Sequence, residues 1–268
     1  MKDLLAKLGG AAGARSPDAA ALQRQLKDQA KQIAWLEKLV GELLVEQRGF
    51  CLLPPPELRL HVGAHESAGN FWNQGRGSSA RVIEVFGEKP PGPVLDWGCG
   101  SGRTLYWLYG QKAWRKAYRG CDVDAQAIRW LQKKHGIQAV SVCGAEPPLP
   151  YGDGEFAGLF SFSVLTHIHP DRHRAWFEEL HRVLRPGGRA YVTVNGDSRA
   201  ADPQAFTRTE QALFARQGWL WADREGHYKG AAVVSRAFTD RALAGLFELE
   251  RYRDAGYHQQ DDLVLRRL

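Results

Sequence analysis

No C-x-x-C pair joins any of the four cysteines, Cys51, Cys99, Cys121 and Cys143, and nothing at the N-terminus resembles a signal peptide. The expectation is a reducing cytoplasm. No apolar run approaches the roughly 18 residues that cross a bilayer, so no transmembrane segment is expected and the chain reads as soluble or at most peripheral. A polybasic block is missing too. The net charge of +6 would suit an anionic partner, but 36 Lys and Arg are interspersed among 30 Asp and Glu. That reads as a solvated surface, and no nucleic-acid partner is expected. What remains, over 268 residues, is enough chain for one substantial α/β core and an appendage.

Residues 1–18 read as a flexible N-terminus, with GGAAGARSPDA as their glycine-rich part. Residues 19–48 read as a coiled-coil helix. Setting Ala19 as heptad position a places Leu26, Ile33 and Val40 at a, and Leu22, Gln29, Leu36 and Leu43 at d. Aliphatic a positions with leucine at d favour a parallel dimer, and Gln29 would mark the register. The competing reading is a single amphipathic helix packed on its own domain. Residues 49–69 read as a linker, because LLPPPEL from Leu52 to Leu58 cannot stay helical. A catalytic-size domain is expected over 70–268.

Within that domain, strand and helix patterns alternate. Helices are expected near Asn70 to Phe86, Arg103 to Tyr109, Ala125 to Lys134 and Asp171 to Leu184, the last stopping at PGG. Strands are expected at Val94 to Asp96, Tyr118 to Asp122, Ala139 to Val142, Phe156 to Ser161 and Arg189 to Val194, with two more around Phe247 to Tyr252 and Asp262 to Leu265. The fold class is therefore α/β, a Rossmann-like, doubly wound and mostly parallel seven-stranded sheet. Asn195 to about Ala237 reads as a long irregular region, which in a compact domain is more often functional than idle.

The most informative stretch is VLDWGCGSGRT, Val94 to Thr104. Gly98, Gly100 and Gly102 strip every Cβ from a turn between strand and helix, so a ligand can approach the backbone. A dinucleotide site would show G-x-G-x-x-G and an acid about 20 residues on. Here the third glycine comes one position early and Arg103 stands where the last one belongs. With Asp96 at the strand end, the turn favours a nucleoside sulfonium over a pyrophosphate. Asp122, 26 positions on (122 minus 96), closes the next strand. Its two carboxylate oxygens can accept both vicinal hydroxyls of a ribose, while Asp124 is placed to cap the following helix.

These segments resemble the class I S-adenosylmethionine-dependent methyltransferases. VLDWGCGSG is similar to their first motif, GCDVD to their ribose strand, LPYGDGEFAGLFSFSVLTHI to their fourth-strand region, and ELHRVLRPGGRAYVT to the helix, turn and fifth strand that follow. The resemblance implies S-adenosylmethionine as cofactor. Gly98, Gly100 and Gly102 would lie along its methionine and ribose, with Asp96 near the amino group. Asp122 would bind the ribose hydroxyls, Val123 would meet the adenine, and Phe162 would approach from the fourth strand. Where many relatives carry Asp facing the adenine amine, this chain has Ala145 and Glu146, whose backbone N–H or side chain would substitute. Ser163 and Thr166 replace acids that hold magnesium in some quinone O-methyltransferases, so no metal is expected. EPPLPYGDGEF, SVLTHI and HQQDDLVLRR further resemble bacterial methyltransferases associated with glycan biosynthesis, which implies a sugar or other small-molecule acceptor. The coiled coil would then pair with itself or with a glycosyltransferase.

Methyl transfer to a hydroxyl still needs a proton acceptor, and His167 is the candidate base. In HIHPDRH, His167, His169 and His173 sit at a loop and helix start, where they could also cap or face solvent; a zinc reading lacks supporting thiols or carboxylates. Trp219, Trp221, His227, Tyr228, His61, Phe71, Trp72, His258 and Gln259 are further acceptor-side candidates. The rival readings are an O- or N-methyltransferase of another small metabolite, and a coiled-coil scaffold with a vestigial pocket.

Overall fold

The computed structural model describes residues 25–29, 31, 32, 35, 53–62, 67–223 and 230–268. The described N-terminal positions are helical, and Leu26 and Trp35 are exposed. Ala19, Leu22, Ile33, Leu36, Val40 and Leu43 of the expected coiled-coil seam lie outside the described residues.

The chain continues through α1 (Pro56–Leu60), α2 (Ala68–Phe86), β1 (Val94–Trp97), α3 (Leu105–Leu108), α4 (Lys112–Ala117), β2 (Tyr118–Asp122), α5 (Ala125–His135), β3 (Val140–Val142) and β4 (Phe156–Ser161). It then forms α6 (His173–Val183), β5 (Leu184–Val194), α7 (Asp197–Ala200), α8 (Arg208–Gln217), β6 (Trp219–Asp223), β7 (Gly230–Val234), α9 (Arg236–Leu243), β8 (Phe247–Tyr257) and β9 (Gln260–Arg267). The main sheet has seven strands in the order β3-β2-β1-β4-β5-β9-β8. The four pairings from β3 to β5 are parallel, and β9 and β8 close the edge antiparallel. Strand order reverses between β1 and β4, which opens a crevice beyond their carboxyl ends.

The sheet is covered on both faces, and β1 shows how. Val94 packs with Val82 of α2 and Ile128 of α5, whereas its neighbour Leu95 packs with Trp176 and Leu180 of α6. Alternate strand residues point to opposite faces, so a strand buried on both sides must be apolar throughout. Local signals set the helix ends. Asp124 caps α5 by accepting from the Gln126 and Ala127 N–H groups, and Gly136 ends it in the left-handed conformation with φ 65°.

Three expectations change. Gly110 splits the helix expected over 103–109 from α4, leaving one short turn in α3. The PGG segment does not merely stop a helix: α6 ends at Val183, and β5 pairs from Leu184 onward. The region read as irregular contains α7, α8 and an antiparallel β6–β7 hairpin around a small core of Ala200, Phe206, Leu220, Ala222 and Val233. In β6 the small and aliphatic residues turn inward while the tryptophans alternate with them, and a capping box between Thr207 and Glu210 starts α8.

Candidate active site

A cavity of about 630 Å³ opens at the carboxyl ends of β1, β2, β4 and β5, within the usual range of small-molecule sites. Its floor is the glycine turn. Gly98 has φ 82°, and a Cβ there would lie 2.1 Å from Cγ2 of Val164. Gly100 donates its N–H to the Asp122 carboxylate at 2.7 Å. Gly102 serves a different end: a Cβ would meet Leu131 at 2.8 Å, so this glycine lets α5 pack close.

Two buried carboxylates face the cavity. Asp122 accepts from Gly100 through one oxygen and from the Asp124 N–H through the other, at 2.8 Å. Burial raises its pKa, and these two hydrogen bonds oppose the rise. Asp96 accepts from the Tyr118 hydroxyl at 2.7 Å. Its pKa is pushed up to about 7 by burial, which outweighs the Tyr118 hydrogen bond; the Asp122 charge adds to the rise.

Val123, Gly144, Ala145 and Phe162 line the same space, and Val123 remains half exposed. Glu146 does not line it; its carboxylate pairs with Arg172 on the outside. Phe162 is fixed by Tyr191 and Tyr257, with ring centroids 5.3 and 4.6 Å away.

Residues 53–62, expected within a linker, instead fold against the turn. Ser101 donates to the Leu58 carbonyl at 3.1 Å, and Leu60, His61 and Val62 form one cavity wall. His61 Nδ1 lies 2.7 Å from an Asp124 oxygen. Burial alone would raise the Asp124 pKa, but the His61 contact and two helix N–H groups bring it below the ordinary value. A proline run gave no hint of this contact, since it depends on where Leu58 and Val62 land in three dimensions.

Beyond Phe162 the wall comprises Ser163, Thr166, His167, Ile168, Trp176, Asn195, Ala231, Tyr257, His258 and Gln260. The Ser163 N–H donates to Thr193 at 2.8 Å, and its hydroxyl shares a hydrogen bond with Gln260. The three clustered histidines diverge. His167 lines the cavity with Nδ1 3.2 Å from the Gly230 carbonyl. His169 packs on Trp219 and Trp221, away from the cavity. His173 is buried with Nε2 directed at the Leu165 and Ile168 carbonyls, and burial lowers its pKa to about 4. Phe71 and Trp72 pack on Tyr106 and Trp107, and Gln259 accepts from Arg199. His227 and Tyr228 lie outside the described residues. Arg103 and Gln260 lay inside motifs singled out for other reasons, and Asn195 in no motif; their places around the cavity emerge only from the folded arrangement.

Residues 94–188 match the family model for a methyltransferase domain. Over 112 residues, 41% of the chain, the sequence is 32% identical to a malonyl-[acyl-carrier protein] O-methyltransferase of Herminiimonas arsenicoxydans, covering 40% of that protein. The chain spans about half the length of the curated relatives it matches. Its fold superposes on a SAM-dependent methyltransferase of Methanosarcina mazei with TM-score 0.54 and 20% identity, covering 70% of this chain and 97% of the other. A geranyl diphosphate C-methyltransferase of Streptomyces coelicolor, solved with S-adenosyl-L-homocysteine, gives TM-score 0.50 at 15% identity, covering 72% and 76%. The glycine turn, the two strand-end acids and the β1/β4 crevice all fall inside the matched segment. The likeness to a methyltransferase-domain model thus covers residues 94–188, and the sheet around them has the fold of solved SAM-dependent methyltransferases.

Proposed function

We propose that this protein is an S-adenosylmethionine-dependent O-methyltransferase acting on a hydroxyl of a sugar or related small polyol. The single observation that carries the reading is one continuous cavity joining Asp96, Gly98 and Asp122 at one end to His167, Asn195 and Gln260 at the other. The residues present fit the cofactor. Asp122 keeps acceptor capacity for the ribose hydroxyls, Asp96 is a carboxylate for the amino group, and Gly98 lines the cavity with bare backbone. Bound there, the sulfonium supplies an activated methyl group, so the protein's task is to align the acceptor oxygen, exclude water and remove one proton.

His167 performs the last task. Its Nδ1 faces a carbonyl, which can only accept, so in the neutral ring Nδ1 carries the hydrogen and Nε2 the lone pair. Asn195, Gln260, Ser163 and Thr166 offer both donors and acceptors around the acceptor, as a polyol requires. The pairing of the N-terminal helix with itself or with a glycosyltransferase belongs to the same reading.

Calorimetry with S-adenosylhomocysteine tests the cofactor, and methyl transfer to a panel of sugars, phenols, carboxylates and amines tests the acceptor. Binding together with transfer to a sugar hydroxyl is the expected result. Without binding, the scaffold reading replaces this one; transfer only to carboxylates or amines replaces the sugar. His167→Gln is expected to lower kcat about 100-fold while leaving the Kd of S-adenosylhomocysteine within about twofold. A kcat near that of the unaltered protein would remove His167 from its role.

A further inference from the structure

Arg103 follows the glycine turn and lines the cavity, yet none of the roles above uses it. Its guanidinium donates through Nη1 to the Val62 carbonyl at 2.5 Å and to Gln74 Oε1 at 2.9 Å, and through Nη2 to the Tyr257 hydroxyl at 3.2 Å. All three acceptors are neutral. Nε is shielded from solvent without a partner, and among the described residues no carboxylate forms an ion pair with Arg103. A guanidinium has five N–H donors, so three contacts do not satisfy it. A partly desolvated cation facing only neutral oxygens lacks its counter-charge.

Asp96 presents the opposite imbalance. It lines the same cavity with a tyrosine hydroxyl as partner and no cation, and it feels the Arg103 charge without touching it. An acid and a guanidinium held apart in one chamber complement an α-amino-acid zwitterion, ammonium toward Asp96 and carboxylate toward Arg103. The three Arg103 contacts also draw together separate parts of the chain. Val62 belongs to the segment before α2, Gln74 to α2, and Tyr257 to the end of β8, where the chain turns into β9. Both outer segments line the cavity, through Leu60 and His61 on one side and His258 and Gln260 on the other.

We propose that Arg103 receives the carboxylate of the cofactor's amino-acid moiety and, through Val62 and Tyr257, latches the N-terminal segment and the β8–β9 turn over the loaded chamber. This rests on the cofactor reading above. Occupancy of the carboxylate position then sets the acceptor wall, because Tyr257 leads directly into His258 and Gln260. The latch makes the order of binding matter: the cofactor completes the surface on which the acceptor docks.

Two ligands isolate the carboxylate. S-adenosylhomocysteine carries it, and S-adenosyl-3-thiopropylamine has the same nucleoside, sulfur and ammonium without it. By calorimetry the unaltered protein is expected to prefer the first by at least about tenfold, and Arg103→Gln is expected to erase that preference, losing about tenfold for S-adenosylhomocysteine and under about twofold for the amine. Arg103→Lys, which keeps the charge but not the planar fork, is expected to retain part of the preference. Equal losses for both ligands would make Arg103 a structural residue, and equal affinities in the unaltered protein would overturn the carboxylate site while leaving the cofactor reading intact. Failure to bind either ligand would overturn the cofactor reading and the proposal with it. Hydrogen exchange tests the latch: amides of residues 58–62 and 257–260 are expected to gain more protection from S-adenosylhomocysteine than from saturating amine, and equal protection would overturn it.

Discussion

Asp122→Ala is expected to weaken S-adenosylhomocysteine binding by about three orders of magnitude, as measured by calorimetry, and to lower the thermal midpoint by several degrees. Hydrogen bonds to a charged group contribute about 1.5–3 kcal/mol each, and in the proposed complex the carboxylate serves two ribose hydroxyls. Its removal acts on the protein as well as the ligand. The Gly100 and Asp124 N–H groups both donate to Asp122, and alanine would leave them without that acceptor. An unpaired buried donor costs about 1–3 kcal/mol, and the Gly100 N–H belongs to the turn that shapes the cavity floor. Asp122→Asn separates the two effects. The amide oxygen can still accept from one of the two N–H groups, so stability should recover in part, whereas the ribose loses a charged acceptor and affinity stays low. If Asp122→Ala bound as tightly as the unaltered protein, the assignment of this acid to the ribose would fall. If affinity and stability fell in parallel for Ala and recovered in parallel for Asn, the residue would be a support for the turn alone.

That double duty bears on what the sequence could disclose. The order of strands and helices was legible because the parallel strands carry apolar runs, because β1 runs into Gly98 and β2 ends at Asp122, and because Asp124 and Gly136 mark the two ends of α5. The strand order, with β9 inserted between β5 and β8, was not read from the sequence, because alternation alone does not say where each crossover lands. Asp122 and Asp96 were legible as site candidates because carboxylates that close buried strands need a purpose. The partnerships across the site were hidden by distance along the chain. Arg103 meets Val62 and Tyr257, and Ser163 meets Gln260, through packing that no local spacing encodes. The β6–β7 hairpin was missed on another ground. The sequence of residues 224–229 between its strands holds no Asn-Gly or Asp-Gly dipeptide, and the aromatic residues of GWLWAD obscured the alternation that makes β6 a strand. The tryptophans that looked like an acceptor platform instead flank His169, outside the cavity.

Asp96→Asn is expected to weaken S-adenosylhomocysteine binding about 100-fold at pH 8 and to abolish its pH dependence. The free protein holds Asp96 with a pKa of about 7 because burial disfavours its charged form, whereas an ammonium partner requires the ionised carboxylate. The ligand's ammonium stays protonated between pH 6 and 8, so the ionised fraction of Asp96 alone sets the slope. With a pKa of about 7, that fraction falls about tenfold from pH 8 to pH 6, and the Kd of the unaltered protein should rise by about the same factor. The stability of the ligand-free protein should move the opposite way. The folded-state pKa lies above the value of 3.8 for an unperturbed aspartate, so the fold favours the neutral acid, and the stability this confers is fully present below about pH 4 and is lost as pH rises through 7. Asparagine remains neutral and can still accept from Tyr118. Its gain in thermal midpoint over the unaltered protein should therefore grow between pH 4 and 7 and level off above. A protein that becomes more stable as it loses its ligand would identify Asp96 as a charge held in place for binding, at the expense of the fold. A Kd for the unaltered protein that stayed flat from pH 6 to 8 would mean that Asp96 does not meet the ammonium, and the zwitterion arrangement with Arg103 would lose its acidic half.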